Sequence, residues 1–316
     1  MIITKIGLRL YFSAHNLAMH VLSGMSDPRG AAMTHSASTA PRGQTQALIS
    51  ASLDSPVLAA AYDRFGVLQF EHGKQLVALL HVARGESVLD IGAGTGRLAA
   101  YVAEIVGDDG RVVAVDPLPL RVDMARTRAA RQFDAKVGRA EDLSAFRDGS
   151  FDVVYLNSVF HWVEDKPRAL GEIYRVLRPG GRLGVNCHNP DHPHEVRLLV
   201  RQAMIAAQIE LAPELGYPSL GISEAQLTEQ ISTAGFVGVL SEQRTFVDTF
   251  PNVEAVVGWA SSSTFGNFLN GVSNADRNRV IETLGQLLEV KRGPDGIRLE
   301  RYLAFATARK PVSSPE

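Results

Sequence analysis

The sequence predicts an α/β protein with a doubly wound, mostly parallel sheet, helices on both faces, an antiparallel pair of strands at its end and a helical lid. Two observations predict the parallel part. From Ser87 to Cys187 short apolar runs alternate with segments of helical period, which is the rhythm of strand–helix–strand crossovers. The runs themselves are nearly continuous in Val, Ile, Leu and Ala, as in strands covered on both faces. A third observation predicts the ending. After Cys187 come two long strand-like runs, Phe236 to Thr249 and Ile297 to Arg309, separated by helical segments.

The elements follow in order. Ala59 to Val82 is largely helical in period, with Leu76, Leu79 and Leu80 on its apolar face. Ser87 to Ile91 is a first strand that ends in a glycine-rich turn, and Arg97 to Val106 is a helix. Arg111 to Val115 is a second strand, followed directly by Asp116. Leu118 to Arg131 is helical, Ala135 to Gly138 is a short third strand, and Phe151 to Asn157 is the fourth. Pro167 to Leu177 places Leu170, Ile173, Tyr174 and Leu177 on one helical face. Pro179-Gly180-Gly181 breaks that helix, and Arg182 to Cys187 is the fifth strand. Helices are expected at His192–Leu211, Ser223–Ala234, Val253–Ala260 and Asp276–Val290. Pro190 to Pro218 is expected to cover the sheet, and residues 190–235 and 250–292 to be helical lid insertions in one domain spanning 46–316.

Composition narrows the function. The chain has 316 residues, 45% hydrophobic and 21% charged, with a net charge of -2. That suits a globular protein with a sizeable core and gives no general electrostatic grip on nucleic acid. Arg121, Arg126, Arg128 and Arg131 read as a solvated helix face. The single cysteine, Cys187, permits no disulfide within the chain, so a cytoplasmic location is expected. The first residues carry Lys5, Arg9, His15 and His20 and read as neither a membrane span nor a signal peptide. Residues 1–45 are expected to be disordered or an extension upstream of the true start, with Met25 and Met33 following closely and Asp27 to Thr45 disordered.

In sheets of this kind the ligand sits beyond the carboxyl ends of the strands, where strand order reverses. Val88 to Ala99 carries Gly92, Gly94 and Gly96 at such an end. Glycines there let a backbone approach a ligand. The spacing Gly94, Gly96, Ala99 also meets the dinucleotide fingerprint, so a nicotinamide or flavin enzyme stays open. Asp90, two residues before Gly92, suits a cationic ligand better than a pyrophosphate. Asp116 lies about 20 residues on and suits ribose hydroxyls in either cofactor. The plainer readings are a turn-stabilising carboxylate at Asp90 and a helix cap at Asp116.

Five segments in order, VLDIGAGTG, VVAVDP, GRAEDL, FDVVYLNSVFHWV and ALGEIYRVLRPGGRL, resemble the class I S-adenosylmethionine-dependent methyltransferases of the small-molecule type. The resemblance covers about Tyr62 to Arg309. It implies a Rossmann-like sheet of seven strands with the last antiparallel, and S-adenosylmethionine as cofactor. It implies that Asp90 and the backbone of Gly92, Ala93, Gly94 and Gly96 hold the amino-acid end. Asp116 would take the ribose hydroxyls with Pro117 beside it, and Ala140 and Glu141 would frame the adenine. Asn157 and Ser158 would lie beside the methionine portion, with Tyr62 closing over it.

The fourth strand then leads to His161 and Trp162, where an acceptor would arrive. His161 is the candidate catalytic residue, either as a base or as a donor that orients the acceptor, and both residues are candidate acceptor contacts. The pair is similar to carboxylate O-methyltransferases, which carry Gln-Trp or His-Trp here, including those acting on trans-aconitate, malonyl carrier protein and juvenile hormone acid. Oxygen of a carboxylate or hydroxyl is the expected acceptor atom, ahead of nitrogen, sulfur or carbon. A non-catalytic cofactor-binding module and an NAD(P)-dependent oxidoreductase are the rival readings. His188, Asp191, His192 and His194 lack regular ligand spacing, and no metal is expected. The expected partner is a small-molecule acceptor, with no nucleic acid and no membrane, and the protein a monomer or homodimer.

Overall fold

The computed structural model describes residues 54–128, 132–209, 221–262 and 272–312. The expectations for residues 1–45, for Arg131, for Leu211 and for the chain up to Pro218 lie outside the described residues.

Helix α1 (Pro56–Phe65) starts at Ser55, whose hydroxyl accepts the Leu58 N–H, and ends at Gly66. Gly66 separates it from α2 (Val67–Leu79). The expected single helix is therefore two, because the Gly66 N–H closes on the Tyr62 carbonyl and a Cβ at 66 would lie 2.8 Å from that oxygen. Strand β1 (Ser87–Ile91) follows, then α3 (Arg97–Val106), β2 (Arg111–Asp116), α4 (Pro119–Arg128), β3 (Phe133–Val137) and β4 (Phe151–Asn157). A 3-10 turn over Phe160–Trp162 leads to α5 (Lys166–Val176), capped by the Asp165 carboxylate on the Arg168 N–H.

Strand β5 (Leu177–His188) begins five residues before the expected Arg182. Phe151 pairs with Leu177, and the register shifts between Phe151 and Val153 before β4 resumes beside Arg182. The Pro-Gly-Gly break thus lies within the strand, at its edge of pairing, instead of before it. Then come α6 (Glu195–Ala206), α7 (Glu224–Thr233), β6 (Val237–Phe250), α8 (Val253–Ser261), α9 (Asn274–Glu289), the two-residue β7 (Arg292–Gly293) and β8 (Gly296–Arg309).

The sheet runs β3-β2-β1-β4-β5-β8-β6, with β7 paired to β8. Strands β1 to β5 are parallel, and β8 is antiparallel to both β5 and β6. The expected doubly wound sheet of seven strands with an antiparallel last strand is present, with β7 as a small addition. The chain winds outward from β1 to β3 and returns to β4 beside β1, so strand order reverses between β1 and β4. Their carboxyl ends mark the crevice.

Alternation along the strands divides the core. Val154, Leu156, Leu183 and Val185 face α5 and α7, whose Leu170, Ile173, Leu227 and Ile231 complete one cluster. Val153, Tyr155, Leu303 and Phe305 face α2 and α3, with Leu76 and Val102. A third cluster joins α6, α8 and α9 over the start of β8, through Met204, Val256, Leu284 and Ile297. Helix α7 thus belongs to the layer of α5, while α6, α8 and α9 pack with each other. Among the described residues no helix is long and apolar enough to cross a membrane.

Candidate active site

The turn after β1 places its glycines in the left-handed region: φ is +74° at Gly92, +56° at Gly94 and +77° at Gly96. Space is short as well. A Cβ on Gly92 would lie 2.2 Å from the Val159 side chain, and one on Gly96 2.7 Å from Ala125. The turn spends its amides internally. Gly92 and Ala93 donate to the Val115 carbonyl at 2.7 and 3.0 Å, Gly96 donates to Ala93, and Gly94 donates to the Asp116 carboxylate at 2.8 Å. A pyrophosphate would need those N–H groups. Those of Gly92, Ala93, Gly94 and Gly96 are already bonded, and a pyrophosphate there would face the Asp90 carboxylate.

Asp90 lies at the end of β1, buried. Its Oδ2 accepts a hydrogen bond from the Tyr155 hydroxyl at 2.7 Å. Burial pushes its carboxyl up to about 7, against the pull of that hydrogen bond, and Asp116 adds to the rise. A cationic group beside Asp90 would relieve this. Asp116 closes β2. One of its oxygens takes the Gly94 N–H and the other the Leu118 N–H. Each carboxylate oxygen can accept a further bond, so two hydroxyls can be accommodated. Burial raises its pKa too, opposed by those two N–H groups.

Helix α1 is fastened over this turn by Asp63. Its carboxylate accepts from the Thr95 hydroxyl at 2.7 Å and from Arg128 Nη2 at 2.8 Å, while Arg97 donates to its carbonyl at 2.7 Å. Burial opposes ionisation of Asp63, but the bonds from Thr95 and Arg128 outweigh it and hold the pKa low. The neighbouring Tyr62 hydroxyl thereby comes within 3.4 Å of where a Gly94 side chain would begin. Arg121 lies 4.0 Å over the Tyr62 ring, and its Nε donates to Asp54 at 3.2 Å. This corrects the sequence reading of a solvated arginine face at Arg121, which is 4% exposed because α1 folds back across α4, while Arg126 is exposed as expected. Tyr62, Gln69, Phe70, Asp90, Gly92, Ala93, Leu98 and Asn157 line one cleft.

A second cleft shares Gly92 and is lined by Pro117, Gly138, Ala140, Glu141, Val159 and Trp162. Glu141 stays at its rim, accepting from Arg139 Nε at 3.3 Å and from the Glu164 N–H at 3.0 Å. Trp162 therefore stands with Ala140 and Glu141, apart from the cleft of Asp90 and Tyr62. The two clefts meet at Gly92, and Asp116 is bonded to Gly94 of the same turn.

Strand β4 ends in a polar knot. The Asn157 side-chain amide donates to the Gln69 carbonyl at 3.0 Å, and its oxygen accepts from Asn186 Nδ2 at 2.8 Å. Asn186 is fully buried on β5 and also accepts the Ser158 N–H at 2.6 Å. Ser158 itself has φ +59°, a left-handed conformation uncommon for a residue other than glycine; Asn186 holds it there. Asn186 was legible as a polar residue in the otherwise apolar run from Leu183 to Cys187. Tyr155, Asp63 and Gln69 gave no such signal: Tyr155 meets Asp90 only through the β1–β4 register, and Asp63 and Gln69 act only because α1 and α2 return to the strand ends.

His161 is buried on the 3-10 turn. Its Nδ1 accepts the His188 N–H at 3.3 Å, so in the neutral ring the proton is on Nε2. Burial lowers its pKa well below the usual value, and the charges near His188, Arg197, Lys166 and Arg301 lower it further. Burial likewise takes His188 down to about 3. The histidines after β5 disperse. His188 Nε2 lies 3.4 Å from Arg197, His192 packs on Tyr302, and His194 meets Asp248 at 3.2 Å. Among the described residues no three His, Cys, Asp or Glu side chains are grouped to hold a metal ion.

Fold and site together define a doubly wound α/β protein with two buried carboxylates, Asp90 and Asp116, at the strand-order reversal. Comparison with known proteins narrows this. The methyltransferase-domain family matches residues 89–185. Nocamycin O-methyltransferase of Saccharothrix syringae is 30% identical over 271 residues, covering 80% of this chain and 95% of that protein. An uncharacterized methyltransferase of Mycobacterium tuberculosis is 47% identical over 103 residues, 33% of this chain, and the match spans 40% of that relative's length. A putative methyltransferase of Bacillus halodurans shares the fold, with a TM-score of 0.52, 21% identity and coverage of 76% of this chain and 98% of its own. The chain belongs to the class I S-adenosylmethionine-dependent methyltransferases.

Proposed function

We propose that the protein methylates a carboxylate oxygen of a small acid, with S-adenosylmethionine as donor. The donor fits the residues present. Asp90, buried and raised to about 7, would hold the ammonium group. Asp116 keeps acceptor capacity for two ribose hydroxyls, and the cleft of Ala140, Glu141 and Trp162 suits the adenine. When bound, S-adenosylmethionine supplies a methyl group on a sulfonium, which an oxygen lone pair can take as the sulfur leaves as a neutral thioether.

The chain's own residues do the rest. Asp63 fastens α1 so that Tyr62 closes the methionine cleft and excludes water. The Asn157–Asn186 pair fixes the end of β4. The observation that carries the choice of acceptor is the His188 N–H on His161 Nδ1. It leaves Nε2–H as a hydrogen-bond donor. A group with that proton in place orients an oxygen; it does not remove a proton. A carboxylate needs no deprotonation, whereas a phenol or alcohol does. Helices α6, α8 and α9 serve in this reading as the cover over the acceptor.

Two measurements test it. Calorimetric titration should give tight binding of S-adenosylhomocysteine and none of NADH. Labelled donor should then label small carboxylic acids to base-labile esters. Labelling of phenols or amines alone would overturn the choice of acceptor and leave the donor intact.

A further inference from the structure

Beside the methionine cleft lies a buried polar cluster that cofactor binding does not use. Asp248 on β6 is its centre. Arg301 on β8 donates from Nε to Asp248 Oδ2 at 2.6 Å, and its Nη2 lies 2.5 Å from the same oxygen without the alignment of a hydrogen bond. His194 Nε2 reaches that oxygen too, at 3.2 Å. Its Nδ1 already accepts the Val196 N–H, so Nε2 carries the proton. On the other side His72 Nε2 stands 3.7 Å from Oδ1. Three donors therefore crowd one oxygen, and the guanidinium is poorly satisfied. It carries five N–H donors and, among the described residues, makes one aligned hydrogen bond, although it is 7% exposed.

Its neighbours tie it to the cleft. The guanidinium lies 4.5 Å over the Trp259 ring. The Trp259 indole N–H donates to Gln69 Oε1 at 3.4 Å, and the Gln69 carbonyl accepts from Asn157. Gln69 lines the cleft of Asp90. Two side chains, Trp259 and Gln69, thus link Arg301 to the cleft of Asp90. Arg301 also acts electrostatically on His161, His188, His194 and His72, lowering all four. A structural salt bridge would be completed by a fork-to-fork carboxylate. Here Nε and Nη2 both close on one oxygen of Asp248 without a second oxygen to complete the fork, and one carboxylate faces a guanidinium and two imidazoles.

We infer that Arg301, backed by Trp259 and set by Asp248, is a specificity-determining residue that binds a second oxyanion of the acceptor, remote from the oxygen that is methylated. The inference rests on the methyl-transfer reading and adds the acceptor's class: a small molecule with two anionic groups, the second a carboxylate or a phosphate. Arg301 holds the remote anion, the Trp259 face shields the pair from water, and His161 meets the reacting oxygen. No bond is made or broken at Arg301.

The test is calorimetry on the full chain saturated with S-adenosylhomocysteine, with valerate, glutarate and 4-phosphonobutyrate as probes. At least one dianion should bind about tenfold or more tightly than valerate. A preference for glutarate identifies a carboxylate, and one for the phosphonate a phosphate. Arg301→Met should bring the dianion to within about twofold of valerate, with the affinity for S-adenosylhomocysteine unchanged. If that variant does not fold, Arg301→Met combined with Asp248→Asn removes the charges together and serves in its place. Equal binding of all three probes by the wild type, or a preference that survives loss of Arg301, would overturn the inference. Failure of S-adenosylhomocysteine to bind would sink the donor reading instead, and the same acid titration on the ligand-free chain would still decide the role of Arg301.

Discussion

The Tyr155 hydroxyl donates to the Asp90 carboxylate at 2.7 Å in a place where both are buried. This one bond moderates the strongest electrostatic tension in the cleft. Burial drives Asp90 up to about 7, the hydrogen bond pulls it down, and Asp116 pushes it up again. A ligand ammonium favours the ionised form. The affinity for S-adenosylhomocysteine should therefore rise with pH up to about 7 and level off above it, falling about tenfold per pH unit well below. Asp90→Asn should bind weakly and flatten that part of the profile. Tyr155→Phe removes a bond that favours the charge, so its midpoint should move to higher pH. A wild-type profile flat from pH 5 to 8 would count against Asp90 as the ammonium site.

The same carboxylate has a cost in stability. Its folded pKa lies above the ordinary value of 3.8. The fold thus favours the protonated form, and that stabilisation is lost as pH rises through about 7. An asparagine cannot ionise. Asp90→Asn should raise the Tm of the ligand-free protein at pH 8, with the gain fading towards pH 4. A variant less stable than wild type at pH 8 would show that the Tyr155 bond outweighs burial.

How much of this was legible follows from where each contact comes from. The turn of Gly92 to Gly96, Asp116 at the end of β2 and the polar end of β4 were all visible, because each lies within one strand and its turn. Arg121 was misjudged because its neighbour Tyr62 on α1 and its partner Asp54, just ahead of that helix, come 59 and 67 residues earlier in the chain. Trp162 follows His161 directly and its ring stays 4.9 Å from the imidazole, yet Trp162 lines the cleft of Ala140 and Glu141, a placement that follows only from the 3-10 turn. Val159 reaches Gly92, and that approach follows only from the turn between β4 and α5. Local pattern reveals strands and their ends; it does not reveal which helix returns to cover them.

Asp63 offers a test of that returning helix. It ties α1 to Thr95 and Arg128 by charge-assisted bonds. Asp63→Ala should weaken S-adenosylhomocysteine by about tenfold, consistent with loss of about 1–2 kcal/mol of closure, and should speed proteolysis near Gly66. The Asp90-dependent pH profile should persist. Unchanged affinity with faster proteolysis would make α1 a bystander to binding.

The tautomer of His161 can be read directly. Nitrogen chemical shifts of its ring should show a neutral imidazole protonated at Nε2 from pH 5 to 8, because burial and the surrounding cations keep its pKa well below the usual value and the His188 N–H occupies Nδ1. Titration near pH 6.5, or a proton on Nδ1, would restore His161 as a candidate base and reopen phenols and alcohols as acceptors. His161→Ala should keep the affinity for S-adenosylhomocysteine and lose turnover by about 10²-fold through lost positioning of the acceptor.

Asp248 tests the buried cluster from its other side. Burial opposes its ionisation, but the bond from His194 and the charge of Arg301 hold its pKa low. Removing it leaves the Arg301 guanidinium buried with two imidazoles and no counter-charge. Asp248→Ala should therefore destabilise the protein by about 3–5 kcal/mol, measured by chemical denaturation. Replacing both charges, Asp248→Leu with Arg301→Met, removes the uncompensated cation and should recover most of that loss. The double variant separates the two roles of the pair: it should be nearly as stable as wild type and still bind S-adenosylhomocysteine, while turnover of any acid substrate falls. Full turnover in a stable double variant would reduce the cluster to a strut between α2, α6 and β8.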